Sequence, residues 1–240
     1  MKSCPSRTEC CAGSSSISGR KSYARTEAGN SQLIEKVKAL RARVATFERA
    51  IERLTRQRDE AQGGIAYNIA ADCDGTLMGG PIWQPDGGMV GRAILLDGID
   101  DYINTNSILN PGDGAFSVVA WIKGGAPGQV IMSQTSGVDW LCADPLEGNL
   151  MSELQNSGRY SPLMSDVVIT DGNWHRIGFV WDGLNRMLYV DGVKVAEDTQ
   201  NGLMSSNNGF YIGCGKGMEP GSFFSGLVDD VRIYNRAVHP

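Results

Sequence analysis

Histidine is nearly missing from this chain: 240 residues hold two, His175 and the penultimate His239. A catalytic triad needs a histidine beside a nucleophile on an elbow such as GxSxG, and no such elbow occurs. His175 directly follows Trp174 at the start of a strand-like run and reads as structural. CxxC pairs and Cys/His ligand spacings are missing too, which argues against a zinc site. No stretch approaches the ~18 apolar residues of a membrane span. The start, MKSCPSRTECCAGSSSISGRKS, is basic but has no apolar core, so no secretion signal is readable in it. Glu-x-Asp-x-x-Glu, a strand arrangement that would face two carboxylates across a sugar, is also absent. Glu153 and Asp139 read as solitary, solvated strand carboxylates, so catalysis is not expected.

Positive charge is scarce where the chain is longest. Residues 1–62 carry 13 Lys and Arg against 7 Asp and Glu, whereas residues 63–240 carry 9 against 20. Two differently composed pieces therefore meet near Gln62-Gly63-Gly64. The acidic piece lacks the clustered basic residues that neutralise phosphates, so nucleic acid is not an expected partner. We divide the chain into a Ser/Gly/Cys-containing disordered start (1–31), a helix (32–62) and a β domain (63–240). Of the six cysteines, Cys4, Cys10 and Cys11 lie in the start, which leaves Cys73, Cys142 and Cys214. Three cannot all pair. Cys142 and Cys214 sit in strand-like runs and are expected as buried free thiols.

Between Leu33 and Leu54 the apolar residues Leu33, Val37, Leu40, Val44, Phe47, Ile51 and Leu54 follow spacings of 4, 3, 4, 3, 4, 3, a heptad repeat. Val37, Val44 and Ile51 take position a, and the others take d. β-Branched a residues with mainly Leu at d favour a parallel two-stranded coiled coil, so a homodimer through this helix is one expectation. The other is a helix lying against its own domain. Gly63-Gly64 ends it.

The stretch TDGNWHRIGFVWDGLNRMLYVDGVKVA, residues 170–196, alternates side chains as strands do. Asp191-Gly192 separates Leu188-Tyr189-Val190 from Val193-Lys194-Val195. Both loop residues tolerate the positive φ angles of a type I′ turn, which predicts a tight hairpin. Further strand-like runs follow one another with no helical pattern between them: 93–96, DYINT, FSVVAWIK, GQVIMSQ, VDWLCAD and NLMSEL. This predicts an antiparallel all-β sandwich. Phe116, Val118, Val119, Trp121, Ile177, Phe179, Leu188, Val190, Ile212, Val231 and Ile233 are its expected core.

These stretches, together with LDGIDDYI (96–103), FYIG (210–213) and FSGLVDDVRIYNRAV (224–238), resemble in order and spacing the laminin-G-like, concanavalin A-like jelly-roll family. The resemblance runs from about Gln62 to Val238. It implies a two-sheet jelly roll and an extracellular or cell-surface setting. Such sandwiches host lectins, adhesion modules, spacers and some glycosidases. The chain departs from the family where LTRQRDE (54–60) replaces an apolar first strand. The sandwich then lacks that strand or fills its place with the end of the helix, with an open edge beside the final strand.

The resemblance also implies one structural calcium held by Asn68, Asp72 and Asp229, with Asn68 standing where an Asp is more usual. Alternation through Leu227, Val231 and Ile233 would turn Asp229 inward. A plainer reading has Asp100 and Asp101 cap turns and Asp229 accept a hydrogen bond from the neighbouring strand's start. For a sugar ligand, rings to stack on and polar groups beside them are needed. Trp140, Arg159, Tyr160 and Asn207, within or near the polar loops 155–161 and 207–208, are the candidate contacts. The function expected first is a noncatalytic carbohydrate-binding or adhesion module. A ligandless spacer or assembly domain comes second, and a glycoside hydrolase a distant third.

Overall fold

A computed structural model describes residue 30, residues 32–51 and 65–66, and residues 74–240 other than 107, 136, 157, 159 and 160. The chain divides into two units, Met1–Ala61 and Gln62–Pro240. Within the first, residues 32–51 form one α-helix, α1. Its polar contacts, Lys38 Nζ to Glu35 at 2.9 Å, Thr46 Oγ1 to the Ala42 carbonyl and Arg49 Nε to the Ala45 carbonyl, all lie off the apolar seam. Within this unit the seam side chains are 40% (Val37) to 63% (Ile51) exposed. Leu54 and the expected disordered start lie outside the described residues.

Among its described residues the second unit is all β apart from a 3₁₀ turn at Pro111–Asp113. In chain order its strands are β1 (Ile65–Ala66), β2 (Gly75–Met78), β3 (Ile82–Gln84), β4 (Ala93–Asp97), β5 (Tyr102–Thr105), β6 (Phe116–Gly124), β7 (Val130–Gln134) and β8 (Asp139–Ala143). They continue as β9 (Asn149–Ser152), β10 (Leu163–Val168), β11 (Trp174–Trp181), β12 (Asn185–Val190), β13 (Val193–Thr199), β14 (Phe210–Ile212) and β15 (Ser225–Tyr234). One sheet runs β1-β2-β5-β14-β7-β8-β9-β10 and the other β13-β12-β11-β6-β15-β4-β3. Every pairing is antiparallel. The predicted hairpin is β12-β13, and Asp191 and Gly192 both take positive φ, 52° and 80°.

The core lies between the sheets. Val118, Ala120 and Ile122 of β6 point into it beside Ile177 and Phe179 of β11 and Leu188 and Val190 of β12. From the facing sheet come Ile103, Met132, Trp140, Leu150, Phe210 and Ile212. Trp121, expected in this core, is only half-buried, because it alternates with Ala120 and Ile122 onto the opposite face of β6. Cys142 and Cys214 are buried free thiols; burial pushes Cys142 well above the ordinary thiol range and Cys214 up to about 12.

The final strand corrects two expectations. A bulge falls between Asp229 and Arg232, and Asp230 takes φ 47°. The extra residue resets the alternation. Val228 faces the core before the bulge, Val231 and Ile233 pack against the core after it, and Leu227 and Asp229 are out of phase with them. Asp229 therefore pairs opposite half-exposed Trp121 and does not point inward. The open edge expected beside β15 is half closed: β4 pairs with Ser225–Val228, while among the described residues the remainder pairs only with β6. β2, β3 and β10 lie outside the stretches read as strands in the sequence. β2 and β3 are four and three residues long, and the pairing of β10 with β9 shifts register between Met164 and Val168.

Candidate ligand-binding surface

Two polar loops, 153–162 after β9 and 200–209 after β13, are joined by hydrogen bonds of backbone and side chain. Met204 N–H donates to the Gln155 carbonyl at 2.9 Å, Asn156 N–H to Gln200 Oε1 at 2.9 Å, and Asn156 Nδ2 to the Asn201 carbonyl. A third loop joins through Asn110, whose Oδ1 accepts from Ser206 N–H at 2.8 Å. Underneath, Gln134 Nε2 reaches the carbonyls of Ser206 and Asn208 at 3.0 and 3.2 Å.

Arg186 anchors the first loop. It is fully buried, which is costly for a guanidinium unless every donor is matched. Nε and Nη2 form a two-pronged pair with Asp198 at 2.8 and 2.5 Å, Nη1 donates to the Leu154 carbonyl at 2.5 Å, and Nη2 also reaches the Ser161 carbonyl at 3.2 Å. Both ends of the segment 154–161 are thereby tied to β12. Nothing in the sequence singled out Arg186, and only the packing reveals its role.

Three buried polar atoms around these loops lack a hydrogen-bond partner among the described residues: Gln134 Oε1, Gln200 Nε2 and Ser206 Oγ. Native interiors leave few such groups unmatched. Asn207 is exposed on the second loop, as a contact residue must be. Trp140 is not. It is completely buried between Phe116 and Phe210, with ring centres 5.2 and 5.0 Å away, so no sugar can stack on it. Its place beside a loop in the sequence was misleading, because β8 turns this ring into the core. Arg159 and Tyr160 lie outside the described residues.

The carboxylates divide into tied and exposed groups. Asp101, nearly buried, accepts from Gly80 N–H and Asp97 N–H, while Asp97 caps the turn through Ile99 N–H and Asp100 N–H. Oxygens of Asp97, Asp100 and Asp101 lie within 4.8 Å of one another, yet Asp101 has both of its oxygens engaged by backbone. Of the expected calcium ligands, Asn68 and Asp72 lie outside the described residues. Asp229 accepts from Val90 N–H at 2.8 Å, the plainer role. Asp139 and Glu153, expected as solitary and solvated, are brought together: Lys216 Nζ stands 2.5 Å from Glu153 and 3.7 Å from Asp139, and its backbone N–H donates to Asp139. Burial raises the Asp139 pKa, against the pull of that N–H and ammonium. His175 bridges two turns, Nδ1 to Asp191 at 2.9 Å and Nε2 to Asp171 at 3.0 Å.

Residues 97–240 match the family model of the concanavalin A-like lectin/glucanase superfamily, which agrees with the two-sheet architecture. The chain belongs to this superfamily. No curated protein matches it in sequence. Among solved superfamily-like folds, the binding domain of Paraclostridial Mosquitocidal Protein 1 superposes with a TM-score of 0.60 at 14% identity over 73% of this chain and 48% of that one. Domain 4 of AbnA, an extracellular arabinanase from Geobacillus stearothermophilus solved with arabinotriose, gives 0.55 at 21% over 68% and 83%. The botulinum neurotoxin serotype D ligand-binding domain, solved with N-acetylneuraminic acid, gives 0.54 at 17% over 73% and 47%. The chain thus spans about half the length of the two toxin domains. At these identities the likeness is one of fold. No helix among the described residues is long and apolar enough to cross a membrane.

Proposed function

We propose that the sandwich is a noncatalytic module that binds a glycan or polysaccharide at the joined loops 153–162 and 200–209, with Asn207, Arg159 and Tyr160 as contacts. The observation that carries this reading is the polar surface that the two loops form together, held by the Met204–Gln155 and Asn156–Gln200 hydrogen bonds and presenting the exposed Asn207. Sugar hydroxyls donate and accept at once and suit an exposed amide such as that of Asn207. The folds it resembles include domains solved with arabinotriose and N-acetylneuraminic acid. Lys216 lies against both Asp139 and Glu153, which removes the free carboxylate pair a glycosidase requires. An extracellular setting belongs to the same reading, as does one structural calcium in which the second oxygen of Asp229 would join Asn68 and Asp72.

A glycan array followed by calorimetry on the whole chain tests the proposal. The expected Kd is about 10 µM to 1 mM, near −4 to −7 kcal/mol. Tyr160→Ala and Asn207→Ala should weaken it while leaving the melting temperature in place. Binding to no glycan would leave the spacer reading, and release of reducing sugar would turn attention to Asp139 and Glu153. For calcium, equal melting curves with the ion and with chelator would reject the site.

A further inference from the structure

The helix carries an apolar stripe along one face. Leu33, Leu40, Phe47 and Ile51 are 57–63% exposed, Val44 53% and Val37 40%. These are the residues that an amphipathic helix uses to bury itself against a neighbour. We infer that α1 is an interface for a second copy of this chain, in a parallel two-stranded coiled coil along Leu33, Val37, Leu40, Val44, Phe47 and Ile51.

Three observations select this occupant. The spacing is strictly 4, 3, 4, 3, 4 over the described seam, the 3.5-residue period that keeps a stripe facing an equal helix instead of the 3.6-residue period suited to a sheet. The exposed seam of two such helices sums to roughly 1,000 Å², near the lower bound of ~1,200 Å² for specific interfaces before flanking e and g side chains are added. Charge then sets direction. In a parallel pair Arg43 meets Glu48 of the other copy and Lys36 meets Arg41, one attraction against one repulsion. An antiparallel pair that aligns the same six layers sets Arg41 against Arg41 and Arg43 against Arg43, with no attraction in return. Valine and isoleucine at every a position, with mainly Leu at d, also select two strands over three or four.

In the parallel arrangement both chains leave the coiled coil at one end. If the proposed glycan site exists, two weak sites would then meet one polymer together, and avidity would exceed the single-site affinity by about 10²–10⁴-fold where the spacing allows. The interface does not depend on that reading.

Light scattering on the whole chain from 1 to 100 µM tests it, whatever the ligand. Twice the chain mass at the upper concentration is expected, falling to a single chain in Val44→Asp. A monomer at 100 µM, or a trimer or tetramer, overturns the proposal. Direction is read by oxidation in a background where Cys4, Cys10 and Cys11 are Ser. Leu40→Cys, at a d position, should cross-link with itself at least tenfold faster than Ala42→Cys on the outer face. Equal rates overturn the parallel register, because an antiparallel pair places residue 40 opposite residue 44.

Discussion

The helix and the sandwich spend apolar residues in opposite ways. In α1 seven large apolar side chains, the six of the seam and Ile34, lie 40–63% exposed, while in the sandwich Val118, Ile122, Met132, Trp140, Phe179 and Leu188 are completely covered. Hydrophobicity alone does not separate the two. A single helix has no second layer of its own and must find one elsewhere. Each sheet of the sandwich is covered by the other, so alternation along β6, β11 and β12 becomes burial within the same chain.

The sharpest test of that contrast pairs two aromatic truncations measured by urea denaturation at about 1 µM. Trp140→Ala removes a ring packed on Phe116 and Phe210 and should cost about 3–5 kcal/mol of sandwich stability. Phe47→Ala should change the same transition by less than about 0.5 kcal/mol. A comparable loss from Phe47→Ala would mean that the seam is part of the folded domain's core.

Next in size is Arg186→Met, which leaves the Leu154 and Ser161 carbonyls and Asp198 without their buried guanidinium. About 3 kcal/mol is expected, and limited proteolysis should cut faster within 154–161. An unchanged cleavage rate would show that the loop is held by other means. The pair of experiments separates apolar packing from polar clamping inside the sandwich, a distinction that α1 does not offer.

The smallest effect concerns His175. Burial of the ring lowers its pKa, but hydrogen bonds and charge from Asp191 and Asp171 outweigh this and raise it above the ordinary 6.5. The folded state therefore holds the proton more tightly than the unfolded one. Its contribution is fully present below about pH 6.5 and lost as pH rises through the folded value. Asp171, lowered to about 2 chiefly by the Asn173 N–H, contributes above its ordinary 3.8 and loses that only as pH falls towards about 2. In His175→Gln, the decline in melting temperature from pH 6 to 8 should flatten; an unaltered slope would place the titrating group elsewhere.

Much was legible in the sequence because it is local. Asp191-Gly192 dictates a I′ turn through backbone sterics, the heptad dictates a helix with one apolar stripe, and alternation in FSVVAWIK dictates a strand. The order of the stretches along 96–238 carried the family resemblance, and the fold followed. Only the tertiary structure decided the rest, since each remaining feature depends on partners distant in the chain. Trp140 reads as a loop-side ring until Phe116 and Phe210 close over it. Asp229 reads as inward until the bulge at Asp230 shifts its phase. Asp139 and Glu153 read as solitary until Lys216 joins them, and nothing marks Arg186 out until its three partners, from one strand and one loop, converge on it. Periodicity fixes which way a side chain faces along an unbroken strand; what stands opposite it, and where a bulge breaks the count, are settled only when the sheets meet.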